Sequence, residues 1–249
     1  MAVIGIMDSG SGGLSVYREI AGILPGHRYI YYADNANCPY GTKSQEFITG
    51  RADAITEHFL SKGADAVVIA CNTATAAAIA HLRANYDIPF VGMEPAVKPA
   101  ALGTRSGIIG VLATAGTLKA SKYLDTRDRY SGGIKVIEHV GEGFVELVEN
   151  LELEGPHAEE VVRNSLQPLI DAGADTVVLG CTHYPFLLPL MKRLAPEGIR
   201  FIDPAPAVAR QLQRVLAAKG LDAAGNGSGL ELESSAPSRS LAVLAEISK

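Results

Sequence analysis

The sequence predicts an α/β protein of two similar parallel-sheet domains related by a pseudo-two-fold axis, with the working site in the cleft between them. Three observations lead there. Short apolar runs that read as strands alternate with helical patterns, as in βαβ units. Those runs are continuously apolar, the pattern of a sheet covered on both faces. The third observation is an internal repeat: residues 63–73 read GADAVVIACNT and residues 173–183 read GADTVVLGCTH. The same offset separates Gly63 from Gly173 and Cys71 from Cys181.

In chain order, residues 2–7 form a strand that ends at Asp8-Ser9-Gly10-Ser11-Gly12-Gly13. Leu14, Tyr17, Ile20 and Leu24 then recur at helical spacing until Pro25-Gly26. A strand over 29–33 leads into Asp34 and a loop, 35–42, containing Cys38-Pro39-Tyr40-Gly41. A helix over 44–60, a strand over 66–70, an Ala-rich helix over 73–84 and a strand over 89–92 follow. The pattern then restarts. Residues 106–112 (SGIIGVL) resemble the first strand, and Ala113-Thr114-Ala115-Gly116-Thr117 stands where the Asp8 loop stood. A helix over 118–130, a strand over 134–138, helices over 142–151 and 157–171 and the strand 176–180 complete the second copy. A strand over 199–202 and a helix over 206–219 come next. Residues 221–229, rich in Gly, Asp and Ala, read as a mobile loop. The stretches 230–233 and 236–247 read as an edge strand and a closing helix packed back on the first half. The expected domains are therefore 1–97 plus 206–249, and 98–205.

Bulk properties narrow the function. At 249 residues, 47% hydrophobic and 20% charged, the chain has ordinary globular composition. A net charge of −5 with no Lys/Arg run argues against nucleic acid as a partner and for a small polar substrate. No apolar run is long enough to span a membrane, and the first residues lack a basic start and a cleavage site, so a cytoplasmic location is expected. Three cysteines without a CxxC pair suit a reducing compartment; spaced Cys/His ligand pairs are missing, so no zinc or other metal is expected.

Chemistry is expected at the carboxyl ends of the strands, where ligands bind in open parallel sheets. Asp8, Asp34, Cys71, Thr114 and Cys181 all fall there. Under pseudo-two-fold symmetry Cys71 and Cys181 face each other across the cleft. A thiol on each side of a carbon suits removal of a proton from one face and delivery to the other, which inverts a stereocentre. The turn into a helix N-terminus is a suitable seat for a thiolate. Either cysteine alone is more often a small core residue; it is their equivalence in the repeat that favours chemistry. Cys38 has no counterpart and reads as loop filler. His183, next to Cys181, reads as an acid/base helper, a cation favouring thiolate, or a structural cap. Asp8 reads equally as a helix cap, and Glu149 taken alone as a solvated charge.

Five blocks in order resemble the bacterial glutamate racemase family of the aspartate/glutamate racemase superfamily. They are Asp8-Ser9-Gly10-Ser11-Gly12-Gly13-Leu14, Cys38-Pro39-Tyr40-Gly41, Cys71-Asn72-Thr73-Ala74, Gly110-Val111-Leu112-Ala113-Thr114 with Gly116-Thr117, and Gly180-Cys181-Thr182-His183-Tyr184-Pro185. The resemblance implies a cofactor-independent isomerase that interconverts L- and D-glutamate and supplies D-glutamate to peptidoglycan. It implies Cys71 as the thiol working on D-glutamate and Cys181 as the thiol working on L-glutamate. Asp8, Ser9, Tyr40, Gly41, Asn72, Thr73, Thr182 and His183 match substrate-contacting positions, Thr114 joins them as a binding candidate, and Asp8 and His183 are expected to assist the thiols. Glu149 aligns with an acid implicated in the site. A homodimer is compatible with this reading.

Two positions depart from the family pattern. Ala33-Asp34 stands where Gly-Asp is common, and Gly141-Glu142 where Cys-Pro is common. No long extension precedes Val3, so precursor-dependent activation is not expected. Three other readings compete. A dinucleotide-binding oxidoreductase is suggested by Gly10-Ser11-Gly12 after a strand with Asp34 downstream, although Ser15 occupies the place of the third glycine. A periplasmic-type amino-acid binding protein has two such lobes but needs a signal peptide. Aspartate and hydantoin racemases remain within the superfamily.

Overall fold

The computed structural model describes residues 1–223, 225 and 229–248. Two parallel sheets organise it. The strands of the first are β1 (Val3–Asp8), β2 (Arg28–Ala33), β3 (Ala66–Ile69), β4 (Phe90–Gly92) and β9 (Gly229–Ser234), in the order β4-β3-β1-β2-β9. Those of the second are β5 (Ile108–Ala113), β6 (Lys135–Val140), β7 (Thr176–Gly180) and β8 (Arg200–Ile202), in the order β6-β5-β7-β8. Each sheet therefore places its first strand between its second and third. Every pairing is parallel. β3 and β7 are wholly buried, which is why four or five apolar residues in a row serve them.

Helices cover the sheets: α1 (Leu14–Ile23), α2 (Gln45–Ser61), α3 (Asn72–Asn85), α4 (Val97–Gly103), α5 (Ala115–Lys119), α6 (Ser121–Tyr130), α7 (Phe144–Glu149), α8 (Pro156–Asp171), α9 (Leu188–Leu194), α10 (Ala205–Ala218) and α11 (Arg239–Ile247). The opening of the repeat is a structural device. Gly63 and Gly173 follow α2 and α8 with φ of +79° and +86°. Beside them, Ala64 and Ala174 N–H donate back to Phe59 and Leu169 carbonyls, the pattern of a Schellman cap. The aspartates that follow anchor the neighbouring central strand. Asp65 accepts from Val3 N–H at 2.8 Å, and Asp175 from Arg105 and Ser106 N–H at 2.6 and 2.8 Å. Both copies thus stop a helix, start a strand and fix the register that delivers a cysteine to the strand's end.

Several elements differ from expectation. α4 and α9 were not expected; Pro99 and Pro189 sit in their first helical turns, where a missing N–H is tolerated. The helix expected over 118–130 is two, since Ala120 is extended (φ −70°, ψ 133°) and Thr114 caps a separate short helix. The helix expected over 142–151 shrinks to α7, bounded by the left-handed Gly143 and by Leu151 at φ 60°. The closing helix begins at Arg239 because Ser238 caps it. β9 pairs with β2 at the edge of the first sheet. Of the loop expected over 221–229, residues 224 and 226–228 lie outside the described residues. No described helix is long and apolar enough to cross a membrane.

Candidate active site

The carboxyl ends of β1, β3, β5 and β7 converge between the two sheets on a nearly closed cavity of about 10 Å³, room for one water and far below the usual range for ligand pockets. Ser9, Tyr40, Gly41, Cys71, Asn72, Thr73, Thr114, Cys181, Thr182 and His183 line it, together with Pro39, Val145 and Gly180, which sequence reasoning did not single out. Asp8 and Glu149 stand behind this lining.

Cys71 follows β3 as the N-cap of α3: its sulfur accepts from Ala74 N–H at 3.4 Å and donates to Ser9 Oγ at 3.8 Å. The residue is 6% exposed. Burial, and then the nearby Asp8 carboxylate, push its thiol up to about 12, against the Ala74 N–H. Cys181 ends β7 at the equivalent point and is 7% exposed, but its neighbour is different. His183 Nδ1 lies 3.7 Å from the Cys181 sulfur, and His183 Nε2 lies 2.7 Å from Glu149 Oε1. Burial opposes a charge on His183, yet Cys181, Cys38 and Glu149 outweigh it and hold the imidazole well above its ordinary value.

Glu149 is not the solvated charge its isolated sequence suggests. Its side chain is 21% exposed. Ser11 N–H donates to it at 2.7 Å and the Ser240 hydroxyl at 2.5 Å. Burial would raise its carboxyl, but the bond to His183, the charge of His183 and these donors bring it down to about 2. Ser240 comes from α11 and had no signal in the sequence; Ser11 sits inside the glycine loop that did.

The glycines of that loop serve close approach. A methyl group on Gly12 would collide with the His183 ring, and one on Gly10 with Glu149 Oε1. Asp8 makes no cap bond to α1. It accepts instead from Gly10 N–H and, across the cleft, from the Thr182 hydroxyl, both at 3.1 Å. Burial raises its carboxyl above the ordinary value, with the His183 charge opposing. Ser15 donates to the Thr182 carbonyl at 2.9 Å, and Thr73 meets the Thr114 hydroxyl at 3.0 Å. The cavity walls therefore also join the two halves.

Asn72 carries a buried side-chain oxygen and nitrogen with no protein partner among the described residues. The Tyr40 hydroxyl donates to Asp34 at 2.6 Å, so this side chain offers the cavity its ring. Asp34 also binds Arg51 through both carboxylate oxygens at 2.9 Å. That occupation removes the acid the dinucleotide reading required, and β1 flanked by β2 and β3 is not the Rossmann order. Gly141, where the family commonly has Cys, lies under Tyr184: a Cβ there would come 2.5 Å from the tyrosine hydroxyl oxygen. Cys38, expected as loop filler, brings its sulfur to within 4.8 Å of ligand atoms of Glu149 and His183.

Fold and site together define a two-sheet α/β protein with thiols at equivalent strand ends on one cavity. The description of the Asp/Glu/Hydantoin racemase family matches residues 4–212, and the chain belongs to that family. It is 53% identical over 216 residues to a glutamate racemase of Ectopseudomonas mendocina, covering 86% of this chain and 82% of that one. Among solved structures it is similar to Escherichia coli glutamate racemase in complex with L-glutamate and the activator UDP-MurNAc-Ala. The TM-score there is 0.88 at 34% identity, covering 99% of this chain and 93% of that one. A glutamate racemase of Francisella tularensis in complex with D-glutamate gives 0.84 at 26% identity, over 99% and 93%.

Proposed function

We propose that this protein interconverts L- and D-glutamate by a two-base mechanism without a cofactor, and that its D-glutamate feeds peptidoglycan synthesis. The observation that carries the reading is the presence of two thiols at equivalent strand ends lining one cavity. Cys181 as thiolate takes the α-proton of L-glutamate, and the Cys71 thiol delivers a proton to the opposite face. The reverse reaction begins at Cys71. The His183 imidazolium, held by Glu149, stabilises the Cys181 thiolate; Asp8 and Ser9 serve Cys71.

The difficulty is the carbanion beside a carboxylate. None of the lining residues is Lys or Arg, so charge on the substrate carboxylates must be met by backbone N–H groups, by the α3 N-terminus, by His183 and by the hydroxyls of Ser9, Thr73, Thr114 and Thr182. The free polar atoms of Asn72 are suited to hold the substrate. Residues 1–97 with 206–249 and residues 98–205 are the two lobes whose parting admits it and whose closure excludes water. Both thiols must stay reduced, and all three cysteines are free, which suits a cytoplasmic enzyme.

Incubation of either enantiomer in deuterated water with no added cofactor is expected to give α-deuterated glutamate and a circular dichroism signal that decays to zero. Full racemisation by Cys71→Ala or Cys181→Ala would overturn the mechanism. The same assay with aspartate tests the substrate: faster turnover of aspartate would replace glutamate in the proposal.

A further inference from the structure

Behind the cavity, on the far side of His183, four donor groups from three separate parts of the chain converge. One ligand atom each of Cys38, Glu149 and His183 lies within 4.8 Å of the others. A fourth stands beside them. The Asn35 side-chain oxygen is buried without a hydrogen-bond partner, while its amide nitrogen donates to Ser234 Oγ at 3.1 Å and so turns the oxygen the other way. A single point shows the convergence: a Cβ built on Gly10 would touch Glu149 Oε1, Cys38 Sγ at 3.0 Å and Asn35 Oδ1 at 3.3 Å. That space exists because residue 10 is glycine.

We propose that Asn35, Cys38, Glu149 and His183 form an inhibitory binding site for a borderline-soft divalent cation, zinc above all. One sulfur, one imidazole nitrogen and two oxygens match the ligands zinc accepts, whereas magnesium and calcium take oxygen alone. Tetrahedral bonds of about 2.0–2.3 Å space donors roughly 3.3–3.8 Å apart, so side-chain adjustments of about an ångström complete the set. Cys38 and Glu149 supply two negative charges and neutralise the cation. An entry path is present: a cleft of about 350 Å³ is lined by Asn35, Cys38, Pro39, Glu149 and the start of α11.

Binding replaces two protons, one from the Cys38 thiol and one from His183 Nε2, both released to solvent. The imidazole nitrogen that now faces Glu149 becomes a metal ligand, and Glu149 can no longer hold its proton. The inhibition rests on the racemase reading; the binding does not.

The test uses cobalt(II) as a spectroscopic probe and zinc as the inhibitor. Wild-type protein and a Cys71→Ala/Cys181→Ala double variant should both bind one cobalt ion with a near-ultraviolet thiolate charge-transfer band. Cys38→Ala should lose the band, and its zinc affinity should fall by about 100-fold or more. Asn35→Ala should weaken binding less, with the band retained. A band that survives in Cys38→Ala, or one that vanishes in the double variant, would assign the metal to the catalytic thiols and overturn the proposal. Failure of racemisation with the band intact would overturn the functional reading and leave the metal site standing.

Discussion

Replacing Glu149 by Gln keeps the shape of the side chain and removes its charge from His183. The carboxyl sits at about 2 against an ordinary 4.5, and at 1.36 kcal/mol per unit this is about 3 kcal/mol in favour of the ionised form. Burial opposes that preference. The bond to His183, the charge of His183 and the Ser240 and Ser11 donors produce it. A Gln oxygen still accepts from Ser11 N–H and from His183, so the variant loses the charge contribution, one part of that preference, and keeps the hydrogen bonds.

That loss lowers the His183 pKa and so weakens the hold on the positive charge beside Cys181. Turnover should fall on the order of tenfold to a hundredfold, and the alkaline limb of the pH–rate profile should move to lower pH. The two enantiomers have equal free energy, so kcat/KM must fall equally in both directions. Circular dichroism of chelator-treated protein follows the reaction from either side. A second readout is stability in acid. The folded value of Glu149 lies below its unfolded value, so its contribution is present above about 4.5 and is lost as pH falls toward about 2. The variant should lack this part of the wild-type acid dependence. Wild-type turnover with an unmoved alkaline limb would refute the assignment of Glu149 to His183.

Two further predictions concern the repeat. Cys71 is raised to about 12, so Cys71→Ala should leave the thiolate absorbance of the free protein unchanged between pH 7 and 9; a clear loss would mean that Cys71 is ionised at rest. Gly63→Ala and Gly173→Ala each force a side chain into left-handed backbone, at about 1–2 kcal/mol. Their melting temperatures should fall by roughly 2–4 °C per kcal/mol with kcat unchanged, and an unmoved melting temperature would refute the role given to the repeat's glycines.

The strands were legible because both sheets bury both faces, which leaves unbroken apolar runs at β3 and β7. The repeat was legible for a related reason: a left-handed glycine, an aspartate anchor and a cysteine at the strand end recur at one spacing. α4 and α9 are two-turn helices of seven residues, too short to show a period, and the first-turn placement of Pro99 and Pro189 depends on where the preceding chain arrives. The lining of the cavity followed from strand ends, but what stands behind it did not. Ser11 and Ser240 reach Glu149 across 138 and 91 residues, and Cys38 joins His183 only once the two halves are apposed. Contacts of that kind have no period or spacing, so neither the support of His183 nor the cluster at Cys38 could be read along the chain.

The symmetry of the fold is also what makes its asymmetry informative. Two thiols in identical surroundings would titrate together, and a two-base reaction needs one as base and the other as acid when substrate arrives. The halves differ at the right place. Beside Cys71 the repeat continues into Asn72-Thr73 and a helix N-terminus, with the buried Asp8 carboxylate opposing a second negative charge. Beside Cys181 it continues into Thr182-His183, and the helix is displaced by a 3-10 turn, Tyr184–Leu187, before α9. His183 thereby gains room to lie between Cys181 and Glu149. In the proposed reaction the free protein is set to begin on L-glutamate, and beginning on D-glutamate requires that a proton first pass from Cys71 to the Cys181 side. A pre-steady-state lag with D-glutamate and none with L-glutamate is the kinetic signature of that arrangement; equal behaviour of the two enantiomers would show that the proton is redistributed faster than substrate binds.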